Sequence, residues 1–343
     1  MNFSDNSDSQ ITPNQHHLPQ KVAILYSDVK REFYATEELF LSEADAYIYA
    51  NDVAKYVAKM GIDVIALAGD VDMTDKLQKY DPDMVLNLVD SVNGESHLGS
   101  SIPGVLEVLQ IPYTGAGTLG WALGCNKFLM YQILQAAGVP VPTHQLVNSS
   151  SDMIDPSLRY PLFPKLNNEH SSIGIADDSI CYNEKELRAK LRDLITTYRQ
   201  PVLIDEFIAG IEVTAAILEG VNTKVYAVQR KVKGGKEDVV TFDKKWRDYL
   251  DMSYTKFEDP VLKGHVKMAF DLLKMSDYGR IDVRVDAAGR FYFIDPNCNP
   301  FFGPPKETHA TYSMILDMYG VTFEETLKRM FQNTLEAEHN GWH

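Results

Sequence analysis

The stretch Gly279-Arg-Ile-Asp282-Val-Arg-Val-Asp286-Ala-Ala-Gly289-Arg-Phe-Tyr-Phe-Ile-Asp295-Pro-Asn297 decides how the rest of the chain is read. Arg280 to Asp286 alternates polar and apolar side chains at the strand period, Ala287-Ala288-Gly289 supplies a turn, and Arg290 to Asp295 is a second, aromatic-rich strand. A β-hairpin follows. Side chains alternate across a strand, so Arg280 and Asp282 share one face, and Asp295 shares a face with Asn297 when the backbone stays extended through Pro296. Two carboxylates and an amide oxygen can then converge. Hard oxygen donors in that number suit Mg²⁺, which takes one or two protein carboxylates and fills its remaining positions with water and phosphate oxygens. A solvated hairpin with charged edges is the plain alternative. Asp and Asn are poor strand residues, and their presence at both strand centre and strand exit favours the metal site.

Arg280-Ile-Asp282 followed by Asp295-Pro-Asn297 resembles the metal-binding end of the ATP-grasp ligases, in the branch related to D-alanine–D-alanine ligase. The likeness runs from about Pro82 to Pro300 and rests on several separated motifs in the family's order. It implies a mixed α/β and α+β chain: an ATP-grasp fold with an N-terminal Rossmann-like pre-ATP-grasp domain. The divisions expected are a disordered extension over residues 1–20, an N-terminal α/β domain over 21–113, a central ATP-grasp subdomain over 114–204, and a C-terminal subdomain over 205–343 that carries the metal site.

Composition agrees with an enzyme of this kind. The 343 residues allow two or three domains, and a hydrophobic content of 45% is ordinary for a globular protein. The first twenty residues are polar and lack a basic region followed by an apolar core, so neither a secretory signal nor a membrane segment is expected. A net charge of −15 argues against nucleic acid, although a local basic cleft suited to ATP is compatible with it. Cys125, Cys181 and Cys298 are scattered without metal spacing and read as free thiols in a reducing compartment, so the cytoplasm is expected. Small molecules are the expected partners, and a homodimer is left open.

Taken in order, Lys21–Tyr26 reads as a strand, Ala44–Met60 as a helix ending at Gly61, and Asp63–Ala68 as a second strand. Asp75–Tyr80 and Ile102–Leu109 read as helices around a third strand at Met84–Val89, which predicts a parallel sheet with crossovers. The first strand runs into Ser27-Asp28-Val29-Lys30, without the glycines of a dinucleotide fingerprint, so NAD binding is rejected. Leu162–Lys165 is a strand exit leading into Asn167-Asn-Glu-His170-Ser171-Ser172-Ile-Gly174, where small residues let backbone N–H groups turn toward an anion. A helix is expected from Asn183 to Tyr198, and the part from Ser313 to Leu335 reads as helical. His170 reads as a surface loop residue.

The resemblance supplies roles for these positions. It implies that Lys127 and Lys165 reach the nucleotide phosphates and that Ser171, Ser172 and Gly174 form the phosphate-covering flap. The backbone of Glu206, Phe207 and Ile208 would meet the adenine edge, and Glu212 would hold the ribose. The basic, glycine-bearing run from Gln229 to Asp259 reads as a mobile lid whose Lys245 and Trp246 match a lysine and tyrosine of the ligase lid, with a plain solvated loop as the alternative. Asp282, Asp295 and Asn297 would hold Mg²⁺ or Mn²⁺, and Arg280 would steady the transferred phosphoryl group, with Lys245 as its catalytic companion. ATP would phosphorylate a substrate oxygen, and an amine would then displace phosphate.

The acceptor side departs from the dipeptide-ligase pattern. The opening Gly-Gly-x-Ser-x-Glu is replaced by Tyr26-Ser-Asp-Val-Lys-Arg-Glu32, the later His-Gly segment by Val89-Asp90-Ser-Val-Asn-Gly-Glu95-Ser96, and Asn-x-x-Pro-Gly by Asn297-Cys-Asn299-Pro300-Phe301. Glu95, Trp246, Asn299, Phe301 and Phe302 are therefore the candidate substrate residues. As a whole the chain resembles the ligases of mycosporine-like amino-acid biosynthesis, which implies joining threonine or serine to mycosporine-glycine. D-alanyl-D-alanine synthesis and a nucleotide-binding protein without turnover are the alternatives.

Overall fold

Val22, Ala23, Ile24 and Leu25 are fully buried, as expected of a strand covered on both faces. They form β1 (Lys21–Tyr26), which pairs in parallel with β2 (Asp63–Ala68) on one side and β3 (Met84–Leu88) on the other, Lys21 opposite Asp63 and Val22 opposite Met84. Helix Ala46–Lys59 makes the first crossover, packing Ala50, Val53 and Val57 inward and ending before Gly61, whose φ of 81° suits a residue without Cβ. In this computed structural model the described residues are 18–220, 223–233, 237, 239–247 and 252–339. Most of the expected extension, residues 1–17, lies outside them. Residues 18–20 do not extend freely: Leu18 packs on the domain core and the Asp83 carboxylate accepts from the Gln20 and Lys21 N–H groups.

The central layer is β4 (His144–Val147), β5 (Leu162–Leu166) and β6 (Val202–Glu206), antiparallel in the order β4-β6-β5. Helix Glu184–Tyr198 covers it with Leu187, Leu191 and Leu194, positions that share one face of a 3.6-residue helix. A reciprocal cap starts this helix: Asn183 accepts from the Glu186 N–H at 3.1 Å, and the Glu186 carboxylate accepts from the Tyr182 N–H at 2.8 Å.

The third layer is an antiparallel sheet in the order β11-β10-β7-β8-β9, from β7 (Ile211–Leu218), β8 (Lys224–Val232), β9 (Met252–Lys256), β10 (Tyr278–Val285) and β11 (Phe291–Asn297). Its two faces separate as alternation requires. Val213, Ala215, Ile217, Ile281, Val283 and Phe293 lie against helix Pro260–Leu272, which leaves Glu212, Thr214, Arg280, Asp282 and Arg284 on the other face. One irregularity matters. Asp282 pairs with Asp295 but Val283 with Phe293, so Ile294 is an extra residue, a bulge. In a regular strand Phe293 and Asp295 would share a face; the bulge leaves Phe293 in the core and turns Asp295 to the side of Asp282.

The stretch Ser313–Leu335 is helical as expected, in two helices, Thr311–Met318 and Phe323–His339, separated at Gly320 with its φ of 81°. The second is pinned at its end by buried Asp277, which accepts from Gly115 N–H at 2.7 Å and Thr334 Oγ1 at 3.2 Å and also from Asn333 Nδ2. The expected lid is largely regular structure: β8 continues to Val232, and a short helix, Phe242–Trp246, precedes β9. Gly234, Gly235 and Lys236, and Asp248 and Tyr249, lie outside the described residues. No helix among the described residues is long and apolar enough to cross a membrane, and all three cysteines are free thiols.

Candidate active site

The central sheet and the cleft face of the third sheet face one another across a cavity of about 120 Å³. Lys127, Lys165, Ser172, Glu206, Phe207, Ile208, Glu212, Asp282 and Asp295 all border it. Lys165 leaves β5 fully engaged: its Nζ lies 2.7 Å from Asp205 Oδ2 and donates to Tyr131 Oη and to the Ile294 carbonyl, each at 2.8 Å. That carbonyl belongs to the bulged residue, which the ladder leaves unpaired. Lys127 opens helix Lys127–Ala136, whose N-cap Asn126 accepts from the Leu129 N–H, and its Nζ sits 3.0 Å from Asp295 Oδ1. Burial alone would raise Asp295, but Lys127, His170 and Lys165 together hold its carboxyl well below the usual range.

The expected metal set is assembled. Across β10 and β11, Asp282 stands opposite Asp295 and Arg280 opposite Asn297. Asp282 Oδ1 and Asp295 Oδ1 are buried without an aligned donor. Two such oxygens fit Mg²⁺, whose other positions are taken by water and phosphate, while the Asn297 amide oxygen already accepts from the Asn299 N–H at 2.9 Å and has one lone pair left for a cation. Among the described residues no group of three or more His, Cys, Asp or Glu is placed to hold a metal ion.

Several expected site residues stand elsewhere. The Phe207 N–H donates to the Pro161 carbonyl at 2.9 Å and is not available to an adenine, whereas among the described residues nothing takes the Ile208 N–H. Glu206 turns its carboxylate away to accept from the Arg159 N–H. The Gly174 N–H is not free for a phosphate: it donates to the Glu38 carboxylate, at 2.8 Å from Oε2, and Gly174 is needed for its φ of 73° and because a Cβ would meet Leu194 at 2.7 Å. Ser171 borders the neighbouring cavity, not the nucleotide cleft. His170 is half-buried rather than a free surface residue, with 22% of its side chain exposed: it donates from Nε2 to the Gly124 carbonyl and lies 3.6 Å from Asp295.

That neighbouring cavity, about 600 Å³, opens where the three layers meet. Arg280, Asn297, Lys245, Trp246 and Phe301 border it as expected, and Phe301 packs edge-on against Tyr49 with centroids 4.7 Å apart. Trp246 donates from Nε1 to the Ser171 carbonyl at 3.1 Å, and the Phe242 N–H donates to the Ile175 carbonyl, so the short helix is fastened to the flap. Burial, with Arg280 beside it, brings the Lys245 amine down to about 7. Glu95 does not reach the cavity: its tight turn through Gly94 leaves it exposed beside His97. Phe302 is 3% exposed and packs with Tyr278, Tyr312 and Phe323 in the core. Asn299 borders the cavity, but its amide is consumed by Tyr278 Oη at 2.7 Å and Asp90 Oδ1 at 3.0 Å.

The sequence did not single out Glu43, Arg230 or Arg284. Glu43 lies in the long connection after β1 and joins Asp90 at the cavity wall, accepting from Ser91 Oγ at 2.8 Å. Burial, reinforced by Asp90, pushes Glu43 up to about 7, and burial pushes Asp90 up to about 6. Asp277, also buried, rises to about 6. These acids bind protons more tightly folded than unfolded, where they sit near 4. Their contribution to stability is therefore complete below about pH 4 and lost as pH rises through 6 to 7. In thermal melts of the ligand-free protein the wild type should gain melting temperature relative to Glu43→Gln between pH 8 and pH 5.5, while Lys245 and His170, held below their usual values, act in the opposite direction in both proteins; a difference that does not grow toward acid would contradict the burial of Glu43. Period-two alternation along Lys224–Val232 places Arg230 on the cleft face, a signal available in the sequence.

Two facing antiparallel sheets, with lysines on one side and paired carboxylates on the other, form an ATP-grasp nucleotide cleft. Solved structures share the fold: D-alanine–D-alanine ligase from Bacillus anthracis complexed with ATP superposes with a TM-score of 0.73 at 19% identity, covering 94% of this chain and 99% of that one. The VanG D-Ala:D-Ser ligase from Enterococcus faecalis gives 0.67 at 19% identity over 92% and 99%. The family model described as D-ala D-ala ligase C-terminus matches residues 133–332. D-alanine–D-alanine ligase of Pseudomonas putida (strain GB-1) is 30% identical over 309 residues, 89% of this chain and 90% of that protein. The chain belongs to the D-alanine–D-alanine ligase family of ATP-grasp, ADP-forming carbon–nitrogen ligases, which work with ATP and Mg²⁺.

Proposed function

We propose that this ligase joins the amine of an amino acid, threonine or serine, to a ring-bearing acceptor of the mycosporine-glycine type in the cytoplasm. The observation that carries this reading is the acceptor cavity of about 600 Å³ walled by Tyr49, Trp121, Trp246 and Phe301. That volume suits a drug-sized ligand, and aromatic walls suit a partly apolar ring. The γ-phosphoryl group of ATP passes to a ring carbonyl oxygen and ADP departs. The amine nitrogen then attacks the ring carbon, the oxygen leaves as phosphate, and loss of protons gives an imine.

Each residue has a part consistent with its position. Lys127 and Lys165 place positive charge on the phosphate side of the cleft, and Glu212 accepts from the ribose hydroxyls. Asp282, Asp295 and Asn297 would hold Mg²⁺, which would supply charge neutralisation for the phosphate oxygens. Arg280 borders the acceptor cavity beside Asp282, 3.4 Å away, where it can face the transferred phosphoryl group and the phosphate that leaves after amine attack. Lys245 and Trp246 close the cavity against water.

A second reading, D-alanyl-D-alanine formation, is favoured by the names of the relatives and by the Glu43–Asp90 carboxylates, which suit a substrate ammonium. A competition assay with product mass spectrometry separates the two. Offered D-alanine alone, then mycosporine-glycine with L-threonine or L-serine, the enzyme should release ADP with the higher kcat/KM in the second mixture. Efficient D-alanyl-D-alanine formation with no imine product would overturn the ring-acceptor reading and leave the dipeptide one.

A further inference from the structure

Row by row across the third sheet, Tyr254 of β9, Arg230 of β8, Glu212 of β7 and Arg284 of β10 stand directly opposite one another. Glu212 is thus flanked by two guanidinium groups, and the two are held differently. Arg284 is tied to the backbone, donating to the carbonyls of Ile208, Gly210 and Glu237 at 2.9–3.1 Å, and lies over the Phe207 ring. Those bonds fix it as part of the cleft wall. Arg230 has no carbonyl partner among the described residues. Its Nη2 donates to Glu212 Oε1 and lies 3.7 Å from Asp282 Oδ2, while its Nε is buried with no acceptor. Arg230 is only 8% exposed, so this charge depends on those two carboxylates.

Both carboxylates are the ones a nucleotide and its cation would claim. When ribose hydroxyls donate to Glu212 and a divalent cation takes Asp282, Arg230 loses its partners, and a buried guanidinium without an acceptor is costly. The phosphate chain entering the same cleft supplies acceptors, and guanidinium matches phosphate oxygens in a two-pronged geometry. Resting on the nucleotide reading of the cleft, we infer that Arg230 is a transferable counter-ion: it neutralises Glu212 and Asp282 in the empty cleft and passes to the phosphate oxygens of ATP as the ribose and cation displace it. Its side chain then makes affinity depend on the phosphates and restrains Glu212 from binding a bare nucleoside.

Calorimetric titration of ATP, ADP and adenosine, with Mg²⁺ and again with a chelator, tests this without reference to turnover. In Arg230→Gln, ATP and ADP should bind about 10- to 100-fold more weakly, the range of one charged hydrogen bond, while adenosine binds as well as in the wild type or more tightly. Should Arg230→Gln fail to fold, Arg230→Lys carries the same comparison with a loss for ATP of roughly three- to tenfold, since the charge stays but the two-pronged geometry goes. Equal weakening of ATP and adenosine would make Arg230 a structural prop and overturn the inference, as would unchanged ATP binding. A wild-type protein that binds neither ligand would overturn the nucleotide reading itself, and the inference with it.

Discussion

Asp295→Ala should lower ATP turnover by roughly 10³-fold or more while the chain still folds, because it removes a carboxylate that would hold the Mg²⁺ neutralising the phosphate oxygens. The folding cost is limited for a reason visible in the site. Lys127, the partner at 3.0 Å, loses its counter-charge, but the Asp295 side chain keeps 23% of its surface in solvent and Lys127 also donates to the Glu169 carbonyl. The penalty therefore falls below the roughly 3–5 kcal/mol of a fully buried broken pair. The β10–β11 ladder does not depend on this side chain, and Phe291 and Phe293 keep their contacts in the core. ADP release at saturating Mg²⁺, alongside a thermal melt, checks both halves. Folded Asp295→Ala protein turning over at the wild-type rate would sink the metal assignment.

Lys165→Met should do the reverse, damaging the fold as well as the chemistry. The Lys165 and Asp205 side chains retain only 8% and 5% exposure, and the ammonium also satisfies Tyr131 Oη and the Ile294 carbonyl. Loss of the lysine leaves a buried carboxylate with no cation and costs about 3–5 kcal/mol. Removal of both charges in Lys165→Met/Asp205→Leu should return most of that stability, since two apolar groups of similar volume often replace a buried pair without loss. Turnover should stay low in both. Chemical denaturation of Lys165→Met, Asp205→Leu and the double variant gives the coupling; a double variant no more stable than Lys165→Met would show that the loss does not come from the orphaned Asp205 carboxylate.

Much of this was legible in the chain. The period-two alternation of Arg280–Asp286, the short apolar strand at Lys21–Tyr26 and the amphipathic run Glu184–Tyr198 are local patterns with local causes, and each forms the element expected. The pairing of Asp282 with Asp295 on one face of the hairpin was legible because charged residues in a buried strand need a reason. What escaped depends on long-range placement. Glu43 reaches the acceptor cavity only because the connection after β1 folds back against the central domain, where Glu38 also accepts from Gly174 N–H and Tyr198 Oη, 136 and 160 residues away. Phe302 sits beside Phe301 in sequence, yet one borders a cavity and the other is core, a distinction set by Tyr312 and Phe323 from later helices. The Asn299 amide looks free in sequence and is committed in space, to Tyr278 and to Asp90 of another domain. Glu95 was misplaced because its turn geometry, not its neighbours in sequence, sets its direction.

The bulge at Ile294 solves a problem of parity. Phe293 must point to the helix side and Asp295 to the cleft, an even step in sequence joined to an odd change of face, which a regular strand cannot provide. One surplus residue restores agreement, and its carbonyl, released from the ladder, becomes the acceptor for Lys165 and Tyr131 of the central domain. The same backbone defect thus aims the acid and ties together the two halves of the cleft. Shortening the strand by that one residue would keep both faces in phase and leave the carboxylates in place, yet it would remove the tie. Segment length is therefore as much a specification of this site as the identity of its acids, and an insertion or deletion between Phe291 and Asn297 would be felt in how the two sheets grip a nucleotide before it was felt in any side chain.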